Sequence, residues 1–357
     1  MLGAILGDIV GSIYEFNNIK TKHFELLNKR STFTDDSILT IAVADWLLEG
    51  ALSKERLIFT LKQYVRKYPN PMGGYGSRFQ QWAFSDENEP YNSWGNGSAM
   101  RVAAVGWAFD TLKETESIAK LTAEITHNHP EGIKGAQATA AAIFMARTLS
   151  TKQEIKEYIE RKYGYNLSRS CDEIRPTYRF NESCAGTVPE AIIAFLDSSD
   201  FESAIRLAVS LGGDTDTLTC ITGGIAEAFY AIPVWMKEKT LEYLPGNLKA
   251  VVDRFQKTIG YRKIDYSMYI YFKGSEKYPN KKAEFFAFYE KSFENTYQGS
   301  AEDKAEKFRD YIGKLLYEQC SDACHFGAAG VDKEKCYEEY FKEYNEPDYK
   351  SEMYERY

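Results

Sequence analysis

Apolar residues recur at helical spacing along most of the first 260 positions, and this pattern predicts a mainly helical protein. The segment 36–49 is apolar on most sides, as in a buried helix, and the segment 134–149 is rich in alanine. Further helices are predicted at 116–126, 152–162, 188–196, 203–211 and 218–230. No series of alternating strands occurs, and the best strand candidate is 266–272. The pattern therefore predicts an all-α fold.

The residue composition changes near position 262, which predicts a boundary between two parts of the chain. Gly, Ala, Ile and Thr are frequent before it, whereas Lys, Glu, Tyr and Phe dominate after it. We therefore expect one globular domain over residues 1–262 and a mainly helical extension over 263–357. Helices are predicted within the extension at 281–296, 301–319 and 332–344.

Composition and charge exclude several classes of protein. The net charge of −8 gives no general attraction to nucleic acid, whose binders usually carry a basic surface. No apolar run approaches the roughly 20 residues that span a bilayer, and the N-terminus lacks the features of a signal peptide. Six cysteines in 357 residues do not indicate a disulfide scaffold. We therefore expect a cytoplasmic protein that binds neither nucleic acid nor membrane.

Two short acidic segments carry the candidate chemistry, and each lies where a loop leads into an apolar helix. The first is Thr34-Asp35-Asp36, and the second is Gly212-Gly213-Asp214-Thr215-Asp216-Thr217. The first segment has a simpler interpretation, because Thr34 suits an N-cap and acidic residues suit the first turn of a helix. In the second segment, two carboxylates between apolar helices would repel each other unless a proton or a cation neutralised them.

If the two segments meet, four carboxylates and two threonine hydroxyls share one site. All of them are hard oxygen ligands, which suit Mg²⁺, Mn²⁺ or Ca²⁺ better than Zn²⁺. Four negative charges favour two divalent ions over one. The sequence alone does not show that the segments meet.

Five blocks of the sequence form a recognisable order over residues 1 to about 240. They are Gly7-Asp8 followed by Glu15, Thr34-Asp35-Asp36, Gly95-Asn96-Gly97-Ser98-Ala99-Met100-Arg101, Thr126-His127-Asn128-His129-Pro130, and Gly213-Asp214-Thr215-Asp216-Thr217. In these blocks the chain resembles the ADP-ribosylglycohydrolase family, which includes the dinitrogenase reductase-activating glycohydrolase.

The resemblance implies a multi-helix orthogonal bundle with two divalent cations, Mg²⁺ or Mn²⁺, in a cleft. It implies as substrate an ADP-ribosylated protein or a small ADP-ribosyl compound. The metal ligands that it implies are Thr34, Asp35, Asp36, Asp214, Asp216 and Thr217. Glu15 would reach the metals or the attacking water, and either Glu15 or a metal-bound aspartate, Asp35 or Asp216, would accept the proton.

The same resemblance assigns a substrate-binding role to the segment from Gly95 to Arg101. The residues Gly95, Asn96, Gly97 and Ser98 expose backbone N–H groups before a helix near Ala99, which would suit a diphosphate. Ser98 as an ordinary N-cap is the alternative. Met100 belongs to the same assigned set, and Arg101 would either pair with phosphate or brace an acidic loop. His129 is assigned to the ribose or phosphate part of the ligand, the alternative being a histidine favoured by a helix dipole.

Two aromatic segments and the extension complete the set of candidates. Residues 73–79 and 91–94 would form a lid, stack on adenine, or belong to the core. In the extension, a zinc site or simple helix packing would account for Cys320, Cys324, His325 and Cys336. The extension would dock on the core, form a dimer contact or bind a protein partner.

The resemblance implies a hydrolase that cleaves ADP-ribose from a modified side chain or small molecule. The linkage stays open between an N-glycosidic bond to arginine, an O-glycosidic bond to serine, and an ester. Two alternatives remain: a nucleosidase or phosphohydrolase that uses the same two metals, and an ADP-ribose-binding protein without turnover.

Overall fold

The structure is a computed structural model, and it describes residues 1–148, 150–230 and 232–260. These residues form fifteen α-helices, of which the last continues into one π-helical turn, Gln256–Gly260. The helices are α1 Leu2–Gly11, α2 Asp35–Glu49, α3 Lys54–Lys67, α4 Ser77–Phe84, α5 Gly97–Met100, α6 Ala103–Ala108, α7 Leu112–Glu124, α8 Pro130–Arg147, α9 Lys152–Tyr163, α10 Cys171–Ile174, α11 Cys184–Asp197, α12 Phe201–Leu211, α13 Thr215–Phe229, α14 Val234–Glu242 and α15 Gly246–Phe255.

The predicted all-α fold is confirmed for the described residues, in which no strand occurs and only two isolated bridges join extended segments. Each of the seven helices predicted before residue 231 is present as α2, α7, α8, α9, α11, α12 or α13. The starts differ by up to four residues, as in α8, which begins at Pro130 rather than at 134. Proline suits the first position of a helix, because its missing N–H would have no partner there.

The close contact between α1 and α13 builds the centre of the fold. A Cβ atom at Gly7 would lie 1.9 Å from the carbonyl oxygen of Thr219, and one at Gly11 would lie 2.4 Å from that of Thr215. Only glycine permits this approach of two backbones. The hydroxyl of Thr219 donates to the carbonyl oxygen of Gly7 at 2.7 Å and fastens the contact. The approach brings α1 beside the first turn of α13, where the second acidic segment lies.

Helix α2 carries the first acidic segment into the core. Thr34 is its N-cap, and the Thr34 hydroxyl accepts a hydrogen bond from the backbone N–H of Asp36 at 3.2 Å. Gly50 ends the helix in the left-handed region, at φ 74°. The helix is buried along most of its length because α1, α3, α6 and α15 all pack against it. The start of α2 is therefore held inside the protein rather than at its surface.

Several expectations lie outside the described residues. They are the strand candidate 266–272, the three helices predicted in the extension, the group Cys320, Cys324, His325 and Cys336, and the partner or dimer contact through residues 263–357. Leu149 of the predicted segment 134–149 is also outside. Every helix of the described part is too short or too polar to cross a membrane.

Candidate active site

A single cleft of about 380 Å³ collects most of the candidate residues. Its walls are the segment that follows α1, the first turns of α2 and α13, and the chain around residues 73–79, 91–97 and 180–182. The acidic side chains lie in one part of the cleft, and a glycine-containing loop with a buried arginine lies in another. We refer to these two parts as the acidic end and the basic end.

The two acidic segments meet at the acidic end. The hydroxyl of Thr217 donates to Oδ1 of Asp36 at 3.4 Å, which joins the start of α13 to the start of α2. Carboxylate oxygens of Glu15, Asp214 and Asp216 all lie within 4.8 Å of one another. Asp35 also faces the cleft. The five carboxylates therefore converge, although they come from three separate parts of the chain.

Burial and mutual repulsion raise the pKa values of most of these carboxyl groups. The pKa of Glu15 rises to about 7, mainly through burial and then through the charges of Asp214 and Asp8. The pKa values of Asp35, Asp36 and Asp216 also lie well above the usual range of an aspartate, for the same two reasons. Burial in a low-dielectric site disfavours the charged form, and neighbouring like charges disfavour it further.

Two carboxylate oxygens at this end lack a hydrogen-bond partner among the described residues. They are Oε2 of Glu15 and Oδ2 of Asp36, both buried. Buried polar atoms are nearly always paired in folded proteins, and these two oxygens are free to bind a ligand. The donor set consists of carboxylate and hydroxyl oxygens, which are the ligands that Mg²⁺ and Mn²⁺ prefer. These residues therefore fit a divalent cation.

Asp8 lies behind the acidic end and organises it. This fully buried carboxylate accepts hydrogen bonds from the backbone N–H of Thr34 at 2.9 Å, from the Thr34 hydroxyl at 2.6 Å, and from the N–H and hydroxyl of Ser37. Burial raises the pKa of Asp8 to about 6. The sequence analysis placed Asp8 in a motif but gave it no role. The available signal was a single charged residue within the otherwise apolar segment 2–11.

The basic end begins with the loop that contains Gly95, Asn96 and Gly97. The Asn96 side chain donates to Oδ2 of Asp214 at 2.7 Å and to the hydroxyl of Thr187 at 3.1 Å. It therefore connects the two ends of the cleft directly. The helix that follows, α5, has only four residues, so its dipole contributes little to this end.

Arg101 is fully buried beneath this loop and still faces the cleft. Its Nη2 donates to the carbonyl oxygen of Thr122 at 2.7 Å and to the hydroxyl of Thr126 at 2.9 Å. Its Nε and Nη1 have no acceptor among the described residues. Burial lowers the pKa of Arg101 to about 10, so the side chain stays charged at neutral pH. Because its partners are neutral oxygens, Arg101 does not brace an acidic loop.

The histidine of the cleft is His127 rather than the predicted His129. His127 is buried against the glycine loop, where a Cβ atom at Gly97 would lie 3.1 Å from its Nε2. His129 instead caps α8, where its Nδ1 accepts the backbone N–H of Glu131 at 3.1 Å. The dipole interpretation of His129 is also wrong, because the residue lies at the start of a helix and not at its end.

Aromatic side chains line the cleft, some of them buried and others exposed at its rim. Tyr75 and Phe79 of the segment 73–79 are buried and pack together, which matches the core interpretation of these two residues. Trp94 is half exposed at the rim. Phe16 and Phe180 form a stacked pair at the same rim with ring centroids 6.5 Å apart, and Phe16 is 68% exposed. The sequence analysis did not identify this pair, whose members are 164 positions apart.

The cleft brings together eleven of the fourteen residues to which the sequence analysis gave a catalytic, metal-binding or substrate-binding role. These are Glu15, Asp35, Asp36, Gly95, Asn96, Gly97, Met100, Arg101, Asp214, Asp216 and Thr217. The remaining three, Thr34, Ser98 and His129, do not line it. Thr34 lies one layer behind, on Asp8, and the Ser98 hydroxyl points away to the carbonyl oxygen of Gly132 at 2.7 Å. Ser98 is therefore not an N-cap either, and Asn96 occupies that position.

Comparison with known protein families gives a match to the model of the ADP-ribosylglycohydrolase family over residues 1–263. The chain belongs to the ADP-ribosylglycohydrolase family. The family assignment and the enzyme class inferred from the sequence, a hydrolase acting on an ADP-ribosyl group, are therefore confirmed.

The chain is similar to named relatives over most of their length. ADP-ribosylhydrolase ARH3 from Mus musculus is 26% identical in a 336-residue alignment that covers 72% of this chain and 87% of that protein. ADP-ribosylarginine hydrolase Tri1 from Pseudomonas putida is 23% identical over 269 residues, covering 67% and 72% respectively. A solved structure described as an ADP-ribosylglycohydrolase-related protein complex covers 72% of this chain and 96% of its own, with TM-score 0.56 and 24% identity, and shows the same fold.

Proposed function

We propose that the cleft binds ADP-ribose along its length and hydrolyses the bond from the distal ribose to a leaving group. The acidic end would hold two divalent cations beside that ribose, and the basic end would receive the diphosphate. One observation carries the proposal: five converging carboxylates share one cleft with a buried guanidinium that has no acidic partner among the described residues, and Asn96 joins the two ends. ADP-ribose offers hydroxyls for one end and an anionic diphosphate for the other.

The residues that would hold the cations are those that carry unpaired or crowded oxygens at the acidic end. They are Asp35, Asp36, Asp214, Asp216 and Thr217, together with Thr34. Thr34 does not line the cleft. Its hydroxyl donates a hydrogen bond to Asp8 and accepts one from the backbone N–H of Asp36, which leaves one oxygen lone pair for a cation. A carboxylate behind a ligand commonly fixes the orientation of that ligand. Bound cations would supply Lewis acidity, orient the ribose hydroxyls and lower the pKa of water.

We assign Glu15 as the proton acceptor, and Asp35 and Asp216 as the alternatives. The pKa of Glu15 is raised to about 7, close to neutral pH, which suits proton transfer in either direction. Its Oε2 has no partner among the described residues and faces Gly73, where a Cβ atom would lie 2.7 Å away. Glycine at that position therefore leaves room for Glu15 to receive a proton. Asp214, in contrast, is already engaged by Asn96.

The reaction requires water to attack the anomeric carbon as the bond to the leaving group breaks. Glu15 would take one proton from that water and return it to the leaving group, which would depart as the guanidine of arginine, the hydroxyl of serine or a carboxylic acid. Positive charge develops on the ribose ring in such reactions, and nearby carboxylates stabilise it. The linkage itself, to arginine, to serine or through an ester, is the part of the substrate that this proposal leaves for experiment.

The basic end would bind the diphosphate through the backbone of the Gly95–Gly97 loop, with Arg101 supplying the charge. The guanidinium has two donors without protein acceptors, and it is preorganised by Thr122 and Thr126. A buried cation that lacks a counterion is costly unless a ligand provides one. A phosphate oxygen would complete this arrangement. The aromatic rim formed by Phe16, Trp94 and Phe180 offers flat surfaces for the remainder of the substrate.

The test is release of free ADP-ribose from peptides that carry it on arginine or on serine, with Mg²⁺ and with a chelator. We expect release from at least one peptide with Mg²⁺, loss of release with the chelator, and recovery when Mg²⁺ or Mn²⁺ is returned. Release that survives thorough chelation would contradict the metal centre. Tight binding of ADP-ribose without release from either peptide would favour a protein without turnover, and cleavage of nucleosides that lack the diphosphate would favour a nucleosidase.

A further inference from the structure

A chain of hydrogen bonds runs behind the basic end, from Arg101 through Thr126 to His127. Nη2 of Arg101 lies 2.9 Å from the Thr126 hydroxyl oxygen, and that oxygen lies 2.8 Å from Nδ1 of His127. All three residues are buried. The proposed function uses Arg101 and the loop, but it does not explain why a hydroxyl stands between the arginine and the histidine.

The direction of each hydrogen bond follows from what each group can donate. A guanidinium donates only, so the Thr126 oxygen accepts from Arg101. The Thr126 hydroxyl has one proton, and within the described residues the only acceptor in reach is Nδ1 of His127. If Nδ1 carried a proton instead, the buried hydroxyl of Thr126 would have no acceptor, which is unfavourable. The arrangement therefore favours a ring whose Nδ1 accepts and whose proton is on Nε2.

The other nitrogen of the ring faces the ligand-binding side. Nε2 of His127 lies against Gly95 and Gly97, and it has no protein partner among the described residues. The neighbouring Arg101 and Arg78 carry positive charge, and Tyr91 lies 6.1 Å away between ring centroids. Burial and the two arginines hold the pKa of His127 well below its usual range, which keeps the ring neutral. A neutral ring with its proton on Nε2 is a fixed hydrogen-bond donor.

We propose that Arg101 and Thr126 are positioning residues that fix His127 in its Nε2–H tautomer, so that the ring donates a hydrogen bond to an oxygen of the substrate diphosphate. The identity of the ligand rests on the proposed function, whereas the tautomer does not. His127 then binds substrate and takes no part in the proton transfer assigned to Glu15. The same arginine would serve both purposes, because one nitrogen orients the hydroxyl while two others remain for phosphate.

The first measurement is the ring ¹⁵N spectrum of the full chain without ligand, which distinguishes the two neutral tautomers and the charged ring. The chain has only four histidines, and the His127 signal is the one lost in His127→Gln. We expect the Nε2–H form. Thr126→Val removes the hydroxyl at nearly constant shape and should shift the ring signals towards a mixture of tautomers. Thr126→Ser should restore the wild-type spectrum.

The second measurement is affinity for ADP-ribose in the presence of Mg²⁺. Thr126→Val should weaken it about fivefold to tenfold, which corresponds to one hydrogen bond, raise KM similarly, and change kcat by less than about twofold. Thr115→Val is the matched control. Thr115 is equally buried in α7 and lies outside the cleft, and its hydroxyl donates to the carbonyl oxygen of Thr111 rather than to the histidine. This variant should leave both the spectrum and the affinity unchanged.

The outcomes separate the inference from the proposed function. A wild-type ring with its proton on Nδ1, in a protein that binds ADP-ribose, would overturn the inference and leave the proposed function intact. An unchanged spectrum and affinity in Thr126→Val would overturn it as well. A ring in the Nε2–H form in a chain that binds no ADP-ribose would support the role of Thr126 but reject the diphosphate as its ligand, and with it the proposed function.

Discussion

The two ends of the cleft both contain buried charges without counterions, but they are built in different ways. At the acidic end, five carboxylates from the segment after α1 and the starts of α2 and α13 crowd together, and mutual repulsion adds to the cost of burial. At the basic end, a single guanidinium is held by two neutral oxygens of α7 and its continuation, and no second cation of comparable burial shares the cleft within the described part of the chain.

This difference sets how each end responds to pH. The carboxyl groups start with low intrinsic pKa values, and the site raises several of them towards neutrality. Arg101 starts so high that even full burial leaves its pKa at about 10. The acidic end therefore changes charge in the physiological range and the basic end does not. We expect cation binding to depend strongly on pH and phosphate binding to depend on it weakly.

Asp214→Asn, which alters the acidic end, should cause the largest loss of activity. This change removes one charge from the cluster and a ligand from the proposed centre, so kcat should fall at least about 100-fold and Mg²⁺ affinity should fall with it. Asp253→Asn on the exposed face of α15 is the matched control, and its activity should stay unchanged. Both variants should unfold near the wild-type temperature. Full activity in Asp214→Asn would disprove the metal assignment.

Breaking the basic end with Arg101→Met should give the next largest effect. The variant keeps a long side chain but loses the charge, so affinity for ADP-ribose should fall roughly 10- to 100-fold, as expected for a charged hydrogen-bonded pair. Mg²⁺ affinity should not change, which separates the two ends.

Arg147→Met is the control for this variant. Arg147 is equally buried, and its Nε donates to the carbonyl oxygen of Gly106 outside the cleft. It should lower stability without affecting the affinity for ADP-ribose. If the two variants weakened ADP-ribose binding equally, Arg101 would have only a structural role.

A smaller effect should come from Asp8→Asn, which acts one layer behind the acidic end. The amide cannot accept all four hydrogen bonds from Thr34 and Ser37, so the start of α2 should loosen. We expect Mg²⁺ affinity to fall about tenfold, a typical cost for a residue that orients a metal ligand. Glu116→Gln, which alters a buried carboxylate bound to Tyr163 outside the cleft, should leave Mg²⁺ affinity as it is. Equal losses in both variants would mean that Asp8 acts only through stability.

Local signals in the sequence were sufficient for the helices that carry the acidic segments. Thr34 followed by two aspartates predicted the start of α2, and apolar periodicity predicted α13. The role of α1 was not predictable in the same way. Its contact with α13 joins Gly7 to Thr219, 212 positions apart, and no local pattern records such a pairing. For the same reason Asp8 received no role, because its partners lie 26 to 29 residues further along the chain.

The choice between His127 and His129 shows where a local signal was overlooked. A residue before proline is usually extended, and proline favours the first position of a helix. His129 before Pro130 was therefore a natural N-cap, as the structure has it. His127, on the preceding segment, was left to face the cleft. Which histidine contacts the glycine loop depends on how α7 and α8 pack, and this packing is not encoded in the spacing of the two residues.

The smallest expected effect is the pH dependence of thermal stability, which tests directly whether the acidic and basic ends respond differently to pH. Without metal, the folded-state pKa values of Asp8 and Glu15 are raised to about 6 and about 7. A raised carboxyl pKa contributes stability below the unfolded value of about 4 and loses it as the pH rises through the folded value. The metal-free protein should therefore become less stable between about pH 4 and pH 8.

Cations should reverse this decline, because they favour the ionised carboxylates of the folded state. The increase in Tm caused by Mg²⁺, relative to a chelator, should be close to zero near about pH 5 and reach roughly 3–6 °C near about pH 8. The increase caused by ADP-ribose in the chelator should vary little between about pH 6 and pH 8, because Arg101 keeps its charge throughout. An increase in Tm with Mg²⁺ that did not depend on pH would show that the carboxyl groups of the acidic end are already ionised without cations. Their raised pKa values would then not explain the response of this end to pH.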